Sequence, residues 1–291
     1  MNPILTQLGF SPTDRVAVIH ADDVGMCQAS LSAFVDLLEV GIVTTGSTMV
    51  PCAWFPATAA FCRENPQVDL GVHITLTCEW ENYRWGPIST VDQTSGLLDE
   101  GGYFPLGTSA VWEKANAEAA LIETEAQIDR ASTAGIDVSH MEDHMAALRH
   151  PRLLPHFVDL GLRRRIPLRF TRPPYPSSED NEWVKVTYQS LSRLEGHGSA
   201  LFDYSVGLPL EDPSDQIWLV KAFMSHLPAG GLSLLVLHPA KDTPELRAIA
   251  PDWPSRVANY KALMNRELHT YIKDQGVQLI GFKILKDCLH P

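Results

Sequence analysis

The decisive stretch of the sequence is Arg15-Val-Ala-Val-Ile-His20-Ala-Asp-Asp-Val-Gly25. Its apolar residues run without interruption up to Ile19 and predict a buried strand. Residues 30–40 follow with apolar side chains at helical spacing, and Gly41 is expected to end this helix. A buried strand that leads into an amphipathic helix is the repeating unit of α/β folds.

The same alternation continues along the rest of the chain. Repeated strand–helix units predict a parallel sheet or barrel, and seven strands instead of eight favour an irregular barrel. We therefore expect an α/β fold, a distorted (β/α) barrel of about seven strands. We also expect a single catalytic domain over residues 1–291, with insertion loops near residues 78–110 and 173–215. The further predicted strands are 43–50, 68–76, 136–141, 168–171, 232–237 and 277–282, and the further helices are 53–64, 115–134, 153–165, 217–225 and 255–273.

Composition and charge exclude several classes of function. The formal net charge of −12 argues against a nucleic-acid partner, because phosphate binding depends on clustered Lys and Arg. The chain begins without a basic, apolar leader and contains no apolar run of about 18 residues, so neither a signal peptide nor a membrane partner is expected. Five cysteines without CxxC spacing indicate reduced thiols in a cytoplasmic protein.

Polar residues cluster where the predicted strands end. Because the carboxyl ends of parallel strands share one rim of the sheet, we expect these residues to lie close together. One Asp and two His would hold a metal ion with positions left open for water or substrate, as in catalytic sites. A second Asp would remain free to move a proton. The strand-end residues are Asp22, Asp23, His73, His140, Glu142, His144, Arg172 and His238.

Three residue assignments stay open on the sequence pattern alone. His140 and His144 are alternatives for the second histidine ligand, and a single His in a strand is often a core residue bonded to backbone. Arg172 is a candidate for orienting the base or binding a substrate oxygen, with a surface ion pair as the alternative. Trp85, in the long loop, is a candidate for stacking on a substrate, with a packing role as the alternative.

At these positions the sequence resembles the YdjC-like carbohydrate deacetylases, a family that includes the ChbG chitooligosaccharide deacetylases. The resemblance extends along nearly the whole chain, in the same order and spacing. The motifs that carry most of it are His20-Ala-Asp-Asp-Val-Gly25, Asp69-Leu-Gly-Val-His73-Ile-Thr-Leu-Thr77, Glu123-Thr-Glu-Ala-Gln127 and His140-Met-Glu-Asp-His144.

The resemblance implies a distorted barrel related to the polysaccharide deacetylases. It implies one divalent metal ion, magnesium or zinc, bound by Asp23, His73 and His144, with Asp22 as general base and His238 as general acid. The reaction would remove an acetyl group from an N-acetylated sugar or short oligosaccharide. The expected partner is therefore a small acetylated sugar, and a homodimer is one assembly to consider.

The sequence departs from the family pattern at two positions near this site. Glu142 stands where the family usually has Asp, and Ala240 stands where the late His-Pro motif is usually followed by Gly. Glu142 is therefore also a candidate for contact with substrate. These departures keep two alternatives open: a deacetylase or esterase of non-sugar compounds, and a metal- or sugar-binding protein without catalysis.

Overall fold

The structure is a computed structural model that describes residues 1–173 and 181–289. In these residues seven strands form one parallel sheet. The strands are β1 (Val16–Val24), β2 (Thr45–Thr48), β3 (Leu70–Ile74), β4 (Val138–Asp143), β5 (Tyr204–Gly207), β6 (Leu232–Leu237) and β7 (Gln278–Leu279). Their order is β4-β3-β2-β1-β6-β5, and β7 pairs with the start of β1.

Helices follow most of the strands and cover the outside of the sheet. Short 3-10 helices lie at Gln93–Ser95 and His144–Ala146. The α-helices are α1 (Pro3–Gln7), α2 (Gln28–Glu39), α3 (Phe55–Glu64), α4 (Thr108–Lys114), α5 (Ala117–Thr133), α6 (Leu154–Arg164), α7 (Glu182–Gly196), α8 (Gln216–Ser225), α9 (Pro244–Ile249), α10 (Trp253–Leu263), α11 (Arg266–Asp274) and α12 (Phe282–Asp287). None of the helices in the described ranges combines the length and apolarity needed to cross a membrane.

The segment 168–171 joins the two edges of the sheet and closes it into a barrel. Leu168 forms a parallel bridge with Met141 of β4, and Thr171 forms one with Phe202, just before β5. These bridges replace a full strand, so the barrel is distorted at this point. The predicted fold class, a distorted α/β barrel of about seven strands, is confirmed.

Several elements differ from the sequence expectation, which did not include the helices α1, α4, α7 and α9. The helix predicted over 255–273 is two helices, because the Asn265 side chain accepts a hydrogen bond from the Leu268 N–H and starts α11. The strand predicted over 277–282 is only β7, and α12 begins at Phe282. Residues 204–207 form β5, which the half-exposed sequence Tyr-Ser-Val-Gly did not indicate.

Candidate metal centre and active site

A cleft of about 690 Å³ opens at the carboxyl ends of the strands. This is the rim where parallel α/β folds carry their chemistry. Acidic, basic and histidine side chains line its floor, and a few apolar residues line its walls. The lining residues are Asp22, Asp23, His73, Glu79, Trp80, Asp143, His144, Met145, Ala146, Arg149, Arg169, Leu210, Glu211, His238, Pro251, Asp252 and Arg256.

An irregularity at the end of β1 brings two adjacent aspartates to the cleft. The register between β1 and β2 shifts between Ala21 and Val24, and Asp23 has a φ of 60°, in the left-handed region. In a regular strand, neighbouring side chains would point to opposite faces. The irregular backbone removes this alternation, so Asp22 and Asp23 both line the same cleft.

Asp23, His73 and His144 direct three donor atoms at one point. Asp23 Oδ1 lies 3.3 Å from His73 Nε2 and 3.4 Å from His144 Nδ1, and the two nitrogens are 3.0 Å apart. Ligands about 2.1 Å from a metal ion are separated by about 3.0–3.4 Å in octahedral or tetrahedral geometry. Asp23 Oδ1 is buried and has no hydrogen-bond partner among the described residues. Both the spacing and the unpartnered oxygen fit a metal ion.

Each of the two histidines contacts a carboxylate through the ring nitrogen that faces away from the point where the three donor atoms meet. Glu142 Oε1 lies 3.1 Å from His73 Nδ1 and also accepts a hydrogen bond from Ser47. Glu79 lies 3.1 Å from His144 Nε2. Such contacts orient a metal-binding imidazole and fix which nitrogen carries the proton. The nitrogens that face the shared point are therefore His73 Nε2 and His144 Nδ1.

The second oxygen of Asp23 is neutralised by a buried arginine. Arg256 Nη1 donates to Asp23 Oδ2 at 2.7 Å, and its Nε donates to Asp252 at 2.9 Å. Burial favours a raised pKa for Asp23, but Arg256 and the two histidines hold that pKa well below its usual range. Asp23 is therefore an ionised ligand candidate at neutral pH, with one oxygen free for a metal.

Asp22 is held from behind, with one oxygen toward the cleft. Arg169 donates to both of its oxygens at 3.1 Å, and His20 Nδ1 lies 2.7 Å from Oδ1. Burial alone raises the pKa of Asp22, but Arg169 and His20 lower it well below its usual range. Asp22 is thus ionised and ready to accept a proton. His238 Nε2 lies 3.8 Å from Asp22 Oδ2, within reach after a small movement.

His238 follows the last residue of β6 and lines the cleft together with Asp22 and Asp23. Its backbone N–H donates to Asn259 Oδ1 at 2.9 Å, which fixes the end of β6, and its Nδ1 is buried without a hydrogen-bond partner in the described chain. Burial lowers the pKa of His238. An imidazole with a depressed pKa and one unused nitrogen is suited to exchanging protons with a bound ligand.

The family profile described as YdjC-like protein matches residues 16–274 of the chain. The chain belongs to the YdjC-like family. The family predicted from the sequence motifs is thereby confirmed.

Curated relatives cover almost the whole chain. A carbohydrate deacetylase of Thermus thermophilus is 34% identical over 275 residues, which are 93% of this chain and 94% of the relative. A carbohydrate deacetylase of Brevibacillus brevis is 28% identical over 92% of this chain and 98% of its own length. A crystal structure of an Enterococcus faecalis protein named for cellobiose-phosphate cleavage has a TM-score of 0.74 at 21% identity, covering 93% of this chain and 98% of that one, which shows a shared fold.

The site of this YdjC-like chain contains most, but not all, of the side chains that the sequence predicted for it. Glu142 is buried beneath the floor, where it contacts Arg169 and His73. Arg172 lies outside the cleft lining and pairs with Asp203 and Glu195. Trp85 is 5% exposed and donates from Nε1 to the Thr77 carbonyl, so it packs behind the cleft. None of these three residues lines the cleft, so the geometry of the cleft does not support their predicted contacts with substrate.

Three charged residues of the site were missed in the sequence. Arg169 had a usable signal, since an arginine inside a predicted buried strand needs a buried anion. Arg256 lies in a predicted helix and Glu79 in a loop, where charged residues are ordinary. Only the fold shows that these two side chains reach the metal-ligand candidates Asp23 and His144.

Proposed function

We propose that this chain is a metal-dependent hydrolase that removes an acetyl group from an N-acetylated sugar or short oligosaccharide. One observation carries the proposal: Asp23 Oδ1, His73 Nε2 and His144 Nδ1 converge beside Asp22 at the floor of an open cleft. An Asp-His-His set leaves coordination positions for water and substrate, which a purely structural metal site does not.

The proposed cofactor is one divalent ion held by Asp23, His73 and His144, and two imidazole nitrogens with one carboxylate suit zinc while leaving magnesium possible. When bound, the ion supplies polarisation of the amide carbonyl and a lower pKa for a water molecule. Glu142 and Glu79 keep the two histidines turned toward it.

Asp22 and His238 account for the protons of the reaction. Water attacks the amide carbon, and Asp22 Oδ2 takes its proton. As the C–N bond breaks, His238 Nε2 gives a proton to the leaving amine. The 3.8 Å between Asp22 Oδ2 and His238 Nε2 allows the proton taken by one group to replace the proton lost by the other. The acetic acid and the amine formed then exchange a proton, so the products are acetate and the protonated amino sugar, and atoms and charge balance.

Support for a sugar substrate comes from the relatives named carbohydrate deacetylase and from the form of the cleft. Its volume of about 690 Å³ lies within the usual range for small-molecule sites. Trp80, Leu210 and Met145 provide apolar wall surface next to the charged floor. Sugars bind well to such mixtures, because a sugar ring has one apolar face and many hydroxyl groups.

The departures at Glu142 and Ala240 are compatible with catalysis. The longer Glu142 side chain makes its contacts to Ser47, His73 and Arg169, so the position behind His73 is filled. Ala240 is fully buried, away from the cleft lining. The non-catalytic alternative therefore has no specific observation in its favour.

The test is release of acetate from a panel of N-acetylated sugars by the purified chain. We expect release that stops with a chelator and returns with a divalent ion. Asp22→Asn should bind the ion as before and lose about 100- to 10,000-fold in kcat. Release from O-acetyl compounds alone would favour the esterase alternative, and ion or sugar binding with no release from any substrate would favour the binding protein.

A further inference from the structure

Two fully buried histidines lie behind Asp22 and do not line the cleft. His20 Nδ1 is 2.7 Å from Asp22 Oδ1, and His20 Nε2 is 2.7 Å from His140 Nε2. His140 Nδ1 is in turn 2.9 Å from the Ser139 hydroxyl oxygen. Side chains from β1 and β4 thus form one continuous hydrogen-bonded chain that ends on the proposed base.

The chemistry of the groups sets the direction of every hydrogen bond in this chain. An ionised carboxylate only accepts, so His20 must donate from Nδ1. A neutral imidazole has one N–H, so His20 Nε2 must accept from His140 Nε2. His140 Nδ1 then accepts from the Ser139 hydroxyl. Burial lowers the pKa of His20 to about 4 and holds the pKa of His140 well below its usual value, which agrees with two neutral rings.

His140 is needed because a competing acceptor lies near His20. Glu142 Oε1 is 3.4 Å from His20 Nε2 and could accept a proton placed there. In that tautomer the bare Nδ1 of His20 would face Asp22 Oδ1, and two acceptors would repel each other. A donor on His140 occupies the lone pair of His20 Nε2 and excludes this arrangement.

The ring of His140 is held firmly by its surroundings. It stacks on Phe282 with centroids 3.8 Å apart and an interplanar angle of 15°. A Cβ atom at Gly71 would lie 2.5 Å from His140 Cε1, so glycine provides the space for the ring. Such packing fixes the ring orientation and therefore the atom that it presents to His20.

A second metal ion is the competing explanation for the same cluster. His20, His140 and Glu142 also bring three possible ligand atoms together. The Arg169 guanidinium, however, already contacts Glu142, and a cation beside it would be repelled. The 2.7 Å between the two Nε2 atoms also suits a short hydrogen bond better than two ligands of one ion, which would be about 3.0–3.4 Å apart.

We propose that His20 and His140 are positioning residues that hold Asp22 through a fixed sequence of hydrogen bonds, His140 to His20 to Asp22. This inference rests on the proposed function, in which Asp22 is the base. Asp22 Oδ1 is occupied by the His20 N–H, and Oδ2 is left toward His238 and the substrate. His140 acts from β4, outside the cleft lining.

Matched substitutions at His20 separate positioning from packing. An Asn side chain places its amide near the position of Nδ1, whereas a Gln side chain places it near Nε2. His20→Asn therefore keeps the donor to Asp22, and we expect kcat within a few-fold of the parent. His20→Gln keeps only the contact to His140, and we expect a loss of about 10- to 100-fold in kcat with KM and metal content unchanged.

The same logic applies to His140. His140→Gln keeps a donor for His20 and should resemble the parent, whereas His140→Phe keeps the stacking on Phe282 and should lose about 10- to 100-fold in kcat. Equal losses in the Asn and Gln variants of His20, or full activity of His140→Phe, would overturn the proposal. A metal content that falls from two ions per chain to one in His140→Phe would establish the second-metal explanation instead.

Nitrogen-15 NMR of the histidine side chains tests the tautomers without any assay of activity. We expect a proton on Nδ1 of His20 and on Nε2 of His140 in the parent chain, with and without added Zn²⁺. A proton on Nε2 of His20, or a doubly protonated ring, would refute the inference even if every variant failed to fold. If the parent chain shows these tautomers but releases no acetate, the proposed function fails and the hydrogen-bonded chain stands.

Discussion

Metal binding should release a proton from His144. Burial alone lowers the pKa of His144, but the Glu79 and Asp23 carboxylates on either side of the ring raise it to about 9. In the metal-free chain His144 is therefore an imidazolium at neutral pH. Only the neutral ring can bind a metal, so the ion must displace a proton from Nδ1.

The size of this effect follows from the pKa of about 9. Each pH unit below that value weakens the apparent free energy of metal binding by about 1.4 kcal/mol, a factor of ten in affinity, because one proton must leave His144. Between pH 9 and pH 7 the contribution of His144 thus weakens apparent metal binding about 100-fold. Titration calorimetry with Zn²⁺, in buffers of different ionisation enthalpy at pH 7, should count about one proton released from this ring per ion.

Glu79→Gln provides the matched perturbation. Without the Glu79 charge the pKa of His144 should fall, and fewer protons should be released at pH 7. Glu81→Gln, an exposed change two residues away, is the control and should match the parent. Two results would refute the assignment of His144 as the protonated ligand. One is a parent chain that releases no proton at pH 7, and the other is equal proton release in the parent and in Glu79→Gln.

The same proton affects the stability of the metal-free chain. The pKa of His144 is raised in the folded state, so its stabilisation is complete below pH 6.5 and is lost as the pH rises toward 9, by about 3 kcal/mol. The pKa of His20 is lowered to about 4, so folding is weakened as the pH falls from 6.5 toward 4. Urea unfolding of the metal-free chain should show greatest stability near pH 6.5, and a stability that rises steadily to pH 9 would contradict both shifts.

Four further substitutions test the partners of the site and two backbone positions with positive φ. Glu142→Gln should weaken Zn²⁺ binding about 10-fold in calorimetry, since a neutral amide replaces the charged acceptor behind a ligand histidine, and unchanged affinity would contradict that role. Arg256→Met should lower the free energy of unfolding of the metal-free chain by about 3–5 kcal/mol in urea, because it leaves a buried carboxylate unpaired; a loss below about 1 kcal/mol would count against this. Gly41 has a φ of 72° and open space around it, so Gly41→Ala should lower the free energy of unfolding by about 1 kcal/mol. Gly25 has a φ of 81° and an added Cβ would lie 2.5 Å from Thr58 Oγ1, so Gly25→Ala should lower the free energy of unfolding by at least about 2 kcal/mol more. Equal losses in the two variants would exclude the steric contribution at Gly25.

The sequence predicted the fold class and most of the candidate site residues. Strand–helix alternation predicted a parallel sheet because buried strands and amphipathic helices differ in period, a local property. The rim position of Asp23, His73 and His144 then followed from the geometry of parallel sheets. The segment 168–171 was predicted as a strand, but its place as the closing bridge of the barrel depends on β4 and residue Phe202.

The partners of these residues were decided only by the tertiary structure. Glu79 comes from a loop, Arg169 from the closing segment and Arg256 from a late helix, and each reaches its partner across a large sequence separation. A charged side chain has the same local signature at the surface and in a buried ion pair, because nothing in its neighbouring residues records what it will contact.

The sequence by itself therefore determined that Asp22, Asp23, His73, His144 and His238 lie at the rim, since strand position and period are local properties. The preference for His144 over His140 as metal-ligand candidate rests on the structure as well as on the resemblance: a turn with Met145 at a φ of 52° brings His144 to the cleft, while His140 turns inward to His20. Register, bulges and the burial of charge depend on contacts between distant segments, and those contacts exist only in the folded chain.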